Sequence, residues 1–424
     1  MVGAGQLARM LQEAAIPLDL AVVVMADRPD DAAAQVCPSV LAAPDDPEGL
    51  QALAARATLL TFEHELLDLD ALRALESGGV LLRPGIGTLE VAVDKAAMRR
   101  HFEEAGLPGP AFCELTWGQR PLATTASGAT TATGATTATG ATTATGGTGR
   151  QAVATPPGLE RLTGFAGLHG WPVVLKAARG GYDGRGVWVV EDEAAAAAVC
   201  AEAARAGVPL LAEAHVPIER ELAVLVARRP GGELVAWPAV ETAQVGGVCR
   251  EVLVPGSLEP AEQKAAAALA AAVAESTGAV GVLAVELFCS AGRLLVNEIA
   301  ARPHNSGHWT IEGAVTSQFE NHLRAVLDLP LGDPGPTAPH VASVNVFGDG
   351  AGGSPTHHLA EALAVEGAHV HLYGKTPRPG RKLGHVTVCG EEAAAVRARA
   401  WAAARALGTP VPERIEDDLR HGVG

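Results

Sequence analysis

Apolar positions recur at helical spacing over residues 6–15, then condense into short β-rich runs at 20–25 and 58–62. Helix alternating with strand predicts a parallel sheet with crossover helices. A glycine turn at Gly3 and Gly5 ordinarily follows a strand, yet only Met1 and Val2 precede it, so the first strand is expected to be missing. Regular patterning resumes at Trp171. An apolar run over 173–176 ends in Lys176 and enters the glycine-rich stretch 179–186, and a second run over 187–190 leaves it. A helix is expected over 192–206, strands over 210–213, 221–227 and 234–238, and an alanine-rich helix over 260–277. Two further strands, 281–288 and 293–299, flank a short turn at residues 290–292, which is a hairpin signal. The tail from about residue 341 carries β-rich runs and ends in a helix over 391–407.

Between these patterned regions lies an island over about 115–157. The hexapeptide Ala-Thr-Thr-Ala-Thr-Gly repeats three times from Ala129 to Gly146, without a charge or a large apolar group. Such a segment does not offset the entropy of ordering, so a disordered insertion is expected, a neutral repeat expansion on an outer loop. The total length of 424 residues suits two or three domains. The net charge of −16 argues against nucleic acid as the main partner and makes any local basic cluster informative. Six scattered cysteines without a CxxC pair read as reduced thiols of a cytoplasmic protein. No apolar run approaches the ~18 residues of a membrane helix, and the start lacks the pattern of a signal peptide, so no membrane is expected.

Four clusters carry candidate chemistry. The loop Gly180-Gly-Tyr-Asp-Gly-Arg-Gly186 sits between two strands, where its glycines let backbone N–H groups approach an anion. It is not a Walker loop, because no Gly-Lys-Ser/Thr follows, and alone it reads equally as a plain hairpin turn. Lys176 beside it resembles half of a phosphate clamp; the alternative is an exposed strand end. Glu286 and Glu298 each lie inside an apolar run and face each other across the hairpin, with Asn297 adjacent and one residue of register open. Facing carboxylates repel unless a cation lies between them, and hard oxygen ligands near phosphate suit Mg²⁺. A shared proton or an arginine salt bridge is the alternative. The run from Arg302 to Trp309 is dense in polar groups and suits a polar small molecule. Zinc on His304 and His308 is disfavoured, because Pro303 and Gly307 argue against a helix. Lys375, Arg378, Arg381 and Lys382 around two prolines read as a phosphate site, or as a solvated loop.

Taken together, the flap after a lysine-ended strand and the Glu286…Asn297-Glu298 hairpin resemble the ATP-grasp superfamily. The motifs GGYDGRG, NEIAARPHNSGHWTIEGAVTSQFENHLRAVLDLPLG and HLYGKTPRPGRKLGHVTV resemble the 5-(carboxyamino)imidazole ribonucleotide synthase family over nearly the whole chain. That resemblance implies an α/β (α+β overall) protein. It would have a Rossmann-like domain over 1–90, an ATP-grasp domain over 91–332 and a small β-rich C-terminal domain over 338–424. The implied substrates are ATP, bicarbonate and aminoimidazole ribonucleotide, with Mg²⁺ as cofactor and a homodimer as the assembly. By resemblance, Lys95 and Lys176 contact ATP phosphates beneath a flap of Gly181, Tyr182, Asp183, Gly184, Arg185, Gly186 and Val187. Glu213, Ala214, His215 and Val216 border adenine, Glu221 the ribose, and Glu286 and Glu298 hold Mg²⁺ beside Asn297. Tyr182, Asp183, Arg185, Arg302, His304 and Asn305 line the ribonucleotide and bicarbonate site. Lys375, Arg381 and Lys382 take the 5′-phosphate, while Gln6 and Glu63 reach in from the first domain. Arg302 and Asp183 are the expected catalytic groups, alongside Lys176. Gln244 stands where some members carry an ATP-contacting histidine, and the segment Thr61 to Leu66 lacks the asparagine usual after its second glutamate. The rival readings are another ATP-grasp purine ligase such as a formate-using transformylase, a non-catalytic nucleotide-binding relative, and, more remotely, a zinc hydrolase.

Overall fold

The computed structural model describes residues 1–117, 158–181, 185–348 and 353–421. Most of the low-complexity insertion, together with Tyr182, Asp183 and Gly184, therefore lies outside the described residues.

The first region is a narrow parallel ribbon. Strand Val24–Ala26 pairs with Ser39–Leu41, and Leu59–Leu60 pairs with Leu81–Leu82. Val2 bridges both halves, parallel to Met25 on one side and to Phe62 on the other. Residues 1–3 fill the position between the two halves as isolated bridges outside any named strand. The backbone of Met1 and Val2 is engaged on both sides. Met25 N–H donates to Met1 O at 2.9 Å, Val2 N–H to Thr61 O at 2.8 Å, and Glu63 N–H to Val2 O at 3.0 Å. The Val2 side chain is fully buried with Met25, Leu50, Leu53, Leu60 and Phe62. The turn through Gly3, which has a positive φ of 100°, then delivers the chain into helix Gln6–Ala15.

Two antiparallel sheets follow. The smaller runs in the order Phe112–Leu115, Leu210–Ala214, Val173–Ala177, Val187–Val190. Helices Leu159–His169 and Glu193–Ala206 contribute to its core. The larger has nine strands. It starts with Arg293–Ala300 and Gly281–Ser290, continues through Arg220–Arg228, Val240–Val245 and Val248–Val254, and ends with His340–Phe347, Lys382–Gly390 and Ala368–Leu372. Leu234–Ala236 pairs beside Arg220–Arg228. Helix Pro260–Thr277 buries Ala266, Ala270, Val273 and Ala274 against Leu222, Val224, Leu283 and Val285. Their spacing of three and four residues makes one helical stripe, and alanine on it permits a close approach.

The β-rich tail continues this sheet, because Val248–Val254 pairs antiparallel with His340–Phe347. Helix Ala393–Ala406 packs beneath it through Val396, Ala400, Trp401 and Ala404. A further helix, Glu413–His421, follows the one expected to close the chain. Only Ile415 of that helix is buried, and its sequence carries just two apolar residues, Ile415 and Leu419. No helix among the described residues is long and apolar enough to cross a membrane.

A buried charge fastens the tail to the sheet. Glu251 is fully buried; it accepts from Arg397 Nη2 at 2.5 Å and from Trp401 Nε1 at 2.6 Å. Removing one partner of a buried pair strands the other charge, at a cost of about 3–5 kcal/mol. Arg397→Ala is expected to lower the denaturation midpoint sharply. Arg405→Ala, which breaks an exposed pair with Glu416, is expected to change stability by less than about 1 kcal/mol. Chemical unfolding of both variants checks this, and equal shifts would contradict it.

Candidate active site

The two sheets, the first region and the loop before strand Lys382–Gly390 enclose a cleft of about 1060 Å³. Its acidic wall is the hairpin of Gly281–Ser290 and Arg293–Ala300. Glu286 pairs with Glu298, but the next pair is Leu287 with Val296, so Asn297 is an extra residue, a β-bulge. Strict alternation would turn Asn297 and Glu298 to opposite faces. The bulge lets both border the cleft. Asn297 Nδ2 donates to Glu286 Oε2 at 3.4 Å. Burial, reinforced by Glu298, pushes the Glu286 carboxyl up to about 8. Burial also works to raise Glu298, but the Lys95 ammonium bonded to it overrides that and holds it low. Two facing carboxylates and an amide oxygen form a hard-oxygen donor set of the kind that suits Mg²⁺. The counter-cation on Glu298 is a lysine, whereas the sequence had offered an arginine as the alternative to a metal.

The basic side is built from two lysines. Lys95 is the first residue of helix Lys95–Glu104, whose N-terminus is capped by the Asp94 carboxylate at Ala96 N and Ala97 N. Lys176 is 7% exposed, so it is not an exposed strand end. Its Nζ lies 2.7 Å from Glu213 Oε2 and 3.0 Å from Asn297 Oδ1. Burial and the nearby Arg99 and Lys95 charges lower its pKa, while Glu213 opposes them. Burial acts to raise Glu213, but Lys176 and Arg99 reverse this and bring it to about 2. Glu213 through Val216 border the cleft. The Glu213 carboxylate is engaged by these two cations.

The flap leaves strand Val173–Ala177 and returns through Arg185 and Gly186. A Cβ on Gly181 would sit 2.8 Å from the Arg185 carbonyl oxygen, so the doubling back requires glycine there. Gly181, Arg185 and Val187 border the cleft, whereas Gly186 packs against Ala177 instead. Arg179 at the base of the flap pairs with Asp94 at 2.8 Å.

Elsewhere on the cleft wall, Arg302 is clasped by Glu65, at 2.8 Å and 3.0 Å. His304 Nδ1 accepts from Ser306 N–H at 3.3 Å, and its Nε2 lies 3.5 Å from Glu286. Burial, with Arg302 and Lys382, lowers the His304 pKa to about 3, so the imidazole is neutral. Asn305 borders the same wall, and its buried Oδ1 has no hydrogen-bond partner among the described residues. His308 does not converge with His304 on a metal. It stacks on Phe319 and His385, away from the cleft lining. Among the described residues no group of three or more His, Cys, Asp or Glu side chains forms a metal cluster.

Gln6 and Lys375 meet across the first region and the tail, with Lys375 Nζ donating to Gln6 Oε1. Arg381 and Lys382 border the cleft beside them, while Arg378 does not. Glu63 also borders it, but the carboxylate is largely committed elsewhere. It accepts from the backbone N–H groups of Gly5, Leu7 and Ala8 at the start of helix Gln6–Ala15. Glu221 and Gln244 complete the wall on the large sheet, and burial raises the Glu221 carboxyl. Arg99 and Glu65 escaped the sequence reading. Glu65 had a signal in the doubled acids of Thr61 to Leu66, whereas Arg99 had none.

A glycine flap on a small antiparallel sheet, facing a carboxylate hairpin on a larger one across a lysine-lined cleft, defines an ATP-binding enzyme of the ATP-grasp class. Family models agree in three parts. The ribonucleotide synthetase preATP-grasp domain matches residues 1–93, the ATP-grasp domain 157–319, and the phosphoribosylaminoimidazole carboxylase C-terminal domain 342–399. The chain is 41% identical to the N5-carboxyaminoimidazole ribonucleotide synthase of Mycobacterium bovis, covering 96% of this chain and 87% of the relative. It is 38% identical to that of Corynebacterium ammoniagenes, covering 95% and 90%. The crystal structure of the synthetase from Thermus thermophilus superposes with a TM-score of 0.77 at 35% identity, covering 97% of this chain and 100% of that one. The synthase from Aspergillus clavatus, in complex with ADP and the 5-aminoimidazole ribonucleotide, gives 0.78 at 28% identity, covering 96% and 97%. The chain belongs to the N5-carboxyaminoimidazole ribonucleotide synthase family.

Lys176→Met removes a buried ammonium while leaving Glu213 its Arg99 partner. A charge-assisted hydrogen bond contributes about 1.5–3 kcal/mol, so ADP affinity is expected to fall roughly 10- to 150-fold. Calorimetric titration checks it; unchanged affinity would remove Lys176 from the nucleotide site.

Proposed function

We propose that the chain carboxylates 5-aminoimidazole ribonucleotide to 5-carboxyaminoimidazole ribonucleotide with ATP and bicarbonate, releasing ADP and phosphate, in purine biosynthesis. The observation that carries this reading is the meeting of two half-sites in one cleft. Lysines and paired carboxylates suited to a nucleotide triphosphate lie on one side, and a lysine–arginine loop suited to a sugar phosphate lies on the other.

Lys95 and Lys176 neutralise the ATP phosphates, 213–216 border the base and Glu221 the ribose. Glu286 and Glu298 would hold Mg²⁺, assisted by Asn297, and the ion would supply neutralisation of phosphate charge. A bicarbonate oxygen attacks the γ-phosphorus as the bond to the ADP oxygen breaks, which gives carboxyphosphate. The exocyclic amine then attacks the carboxyl carbon directly or as released CO₂, phosphate departs with the bonding electrons, and the amine loses a proton. Such phosphoryl transfer depends on positioning and charge neutralisation more than on covalent catalysis. Arg302, oriented by Glu65, stabilises the carboxyphosphate anion. Neutral His304 and Asn305 donate and accept hydrogen bonds on the same wall. Asp183 is assigned to help deprotonate the amine and Tyr182 to line the ribonucleotide site; both lie outside the described residues. Lys375, Arg381 and Lys382 hold the 5′-phosphate. A cytoplasmic homodimer with domains over 1–90, 91–332 and 338–424 completes the reading.

The test is ADP release. It should require Mg²⁺, bicarbonate and aminoimidazole ribonucleotide together. Release with formate and a different ribonucleotide would instead indicate a transformylase, and binding of ADP without turnover a non-catalytic relative. A pH dependence follows as well. Burial, together with Arg381 and Lys382, lowers the Lys375 ammonium from 10.5 to about 8. It is charged below that pH and neutral above it, while the substrate phosphate stays dianionic above about pH 7. KM for the ribonucleotide should therefore rise as pH climbs through about 8, and Lys375→Arg should flatten the profile. A wild-type KM constant up to roughly pH 9.5, well above the lowered Lys375 value, would exclude this role.

A further inference from the structure

Arg99 is an arginine with 3% of its surface exposed, on the inner face of helix Lys95–Glu104. Its guanidinium makes three bonds. Nε donates to Glu213 Oε1 at 2.5 Å, Nη1 to the Val296 carbonyl at 2.7 Å, and Nη2 to the Asn297 carbonyl at 2.5 Å. The two carbonyls belong to the β-bulge, where Asn297 is the unpaired extra residue. A bulge leaves ladder groups without strand partners, and an orphaned buried carbonyl costs about 1–3 kcal/mol. The rigid planar fork of arginine reaches two adjacent acceptors at once, which a lysine cannot do.

Lys95 lies one helical turn before Arg99, so both project from the same face. Lys95 takes the Glu298 side chain, and Arg99 takes the backbone immediately before it. The helix thus grips the acidic strand twice. We infer that Arg99 is a positioning residue that fixes the Asn297 bulge, and thereby turns Glu298 toward Glu286 to complete the cation site. It touches neither ATP nor metal. Its other partner, Glu213, is held independently by Lys176, so the nucleotide lysine keeps its place without Arg99. This inference rests on the reading that Glu286 and Glu298 hold the divalent ion.

The test measures Mn²⁺ binding to the full chain with ADP present, by the loss of the free-ion electron paramagnetic resonance signal, beside ADP binding in chelator. Residues that orient metal ligands without touching the ion typically change metal affinity about 10- to 100-fold. Arg99→Met should weaken Mn²⁺ by about that range, while metal-free ADP affinity shifts by less than about 3-fold; a general structural collapse would lower both. Arg99→Lys keeps the charge beside Glu213 without the fork. It should lose about 3- to 10-fold in Mn²⁺ affinity, so the inference stays testable if the methionine variant does not fold. Mn²⁺ affinity within about 2-fold of wild type in the folded variants would overturn the positioning role. If Glu298→Gln also left Mn²⁺ binding unchanged, the metal assignment itself would fall, which is a separately recognisable outcome.

Discussion

Glu213 is a carboxylate with 2% of its surface exposed, and the cleft is organised around it. Taking an ion out of water carries an effective penalty of several kcal/mol, which only close partners and full hydrogen bonding offset. Lys176 and Arg99 are those partners, and they come from different places: one from the small sheet, the other from the helix that follows the first region. Each then reaches the large sheet, Lys176 through the Asn297 side chain and Arg99 through the Val296 and Asn297 carbonyls. One buried anion therefore joins three structural layers at the point where a triphosphate would lie. Around it three cations, Lys176, Arg99 and Lys95, are matched to the carboxylates of Glu213 and Glu298.

The second half of the cleft depends on sheet continuity. Residues after 338 form a compact β-rich unit in sequence, yet strand His340–Phe347 adds directly to Val248–Val254. Lys382–Gly390 pairs next to it. The cationic loop is thus attached to the frame that carries Gln244, and Lys375 is steadied by Gln6 from the first region. A flexible linker would leave the distance between the two half-sites undefined. A shared ladder fixes it, and Glu251 with Arg397 and Trp401 fastens the packing helix from below.

Local elements were legible where periodicity is strong. Helices Gln6–Ala15 and Pro260–Thr277 fall where the spacing puts them, and the hairpin turn fixed Glu286 against Glu298 within one residue. That last residue is the bulge, and no composition signal announces it, because Asn297 reads as an ordinary strand position. Arg99 was invisible for a related reason: in Met98-Arg-Arg-His101 adjacent basic residues resemble a solvated face. Only the pairing of distant strands reveals the carbonyls that draw it inward. The joining of the tail to the large sheet is equally nonlocal.

The proposed carboxyphosphate intermediate would give these static features a common direction. An intermediate that water destroys needs a covered site, and a covered site has a low effective dielectric in which unmatched charge is expensive. The same cover that protects the intermediate therefore demands that each cation and anion beneath it be matched beforehand. Asp94 shows how local the matching is. It caps the helix that presents Lys95 and also pairs with Arg179 at the base of the flap. The anchor of the cover and the presentation of the phosphate lysine are thereby one piece of structure. The base of the flap is tied to the cap of the helix that carries Lys95.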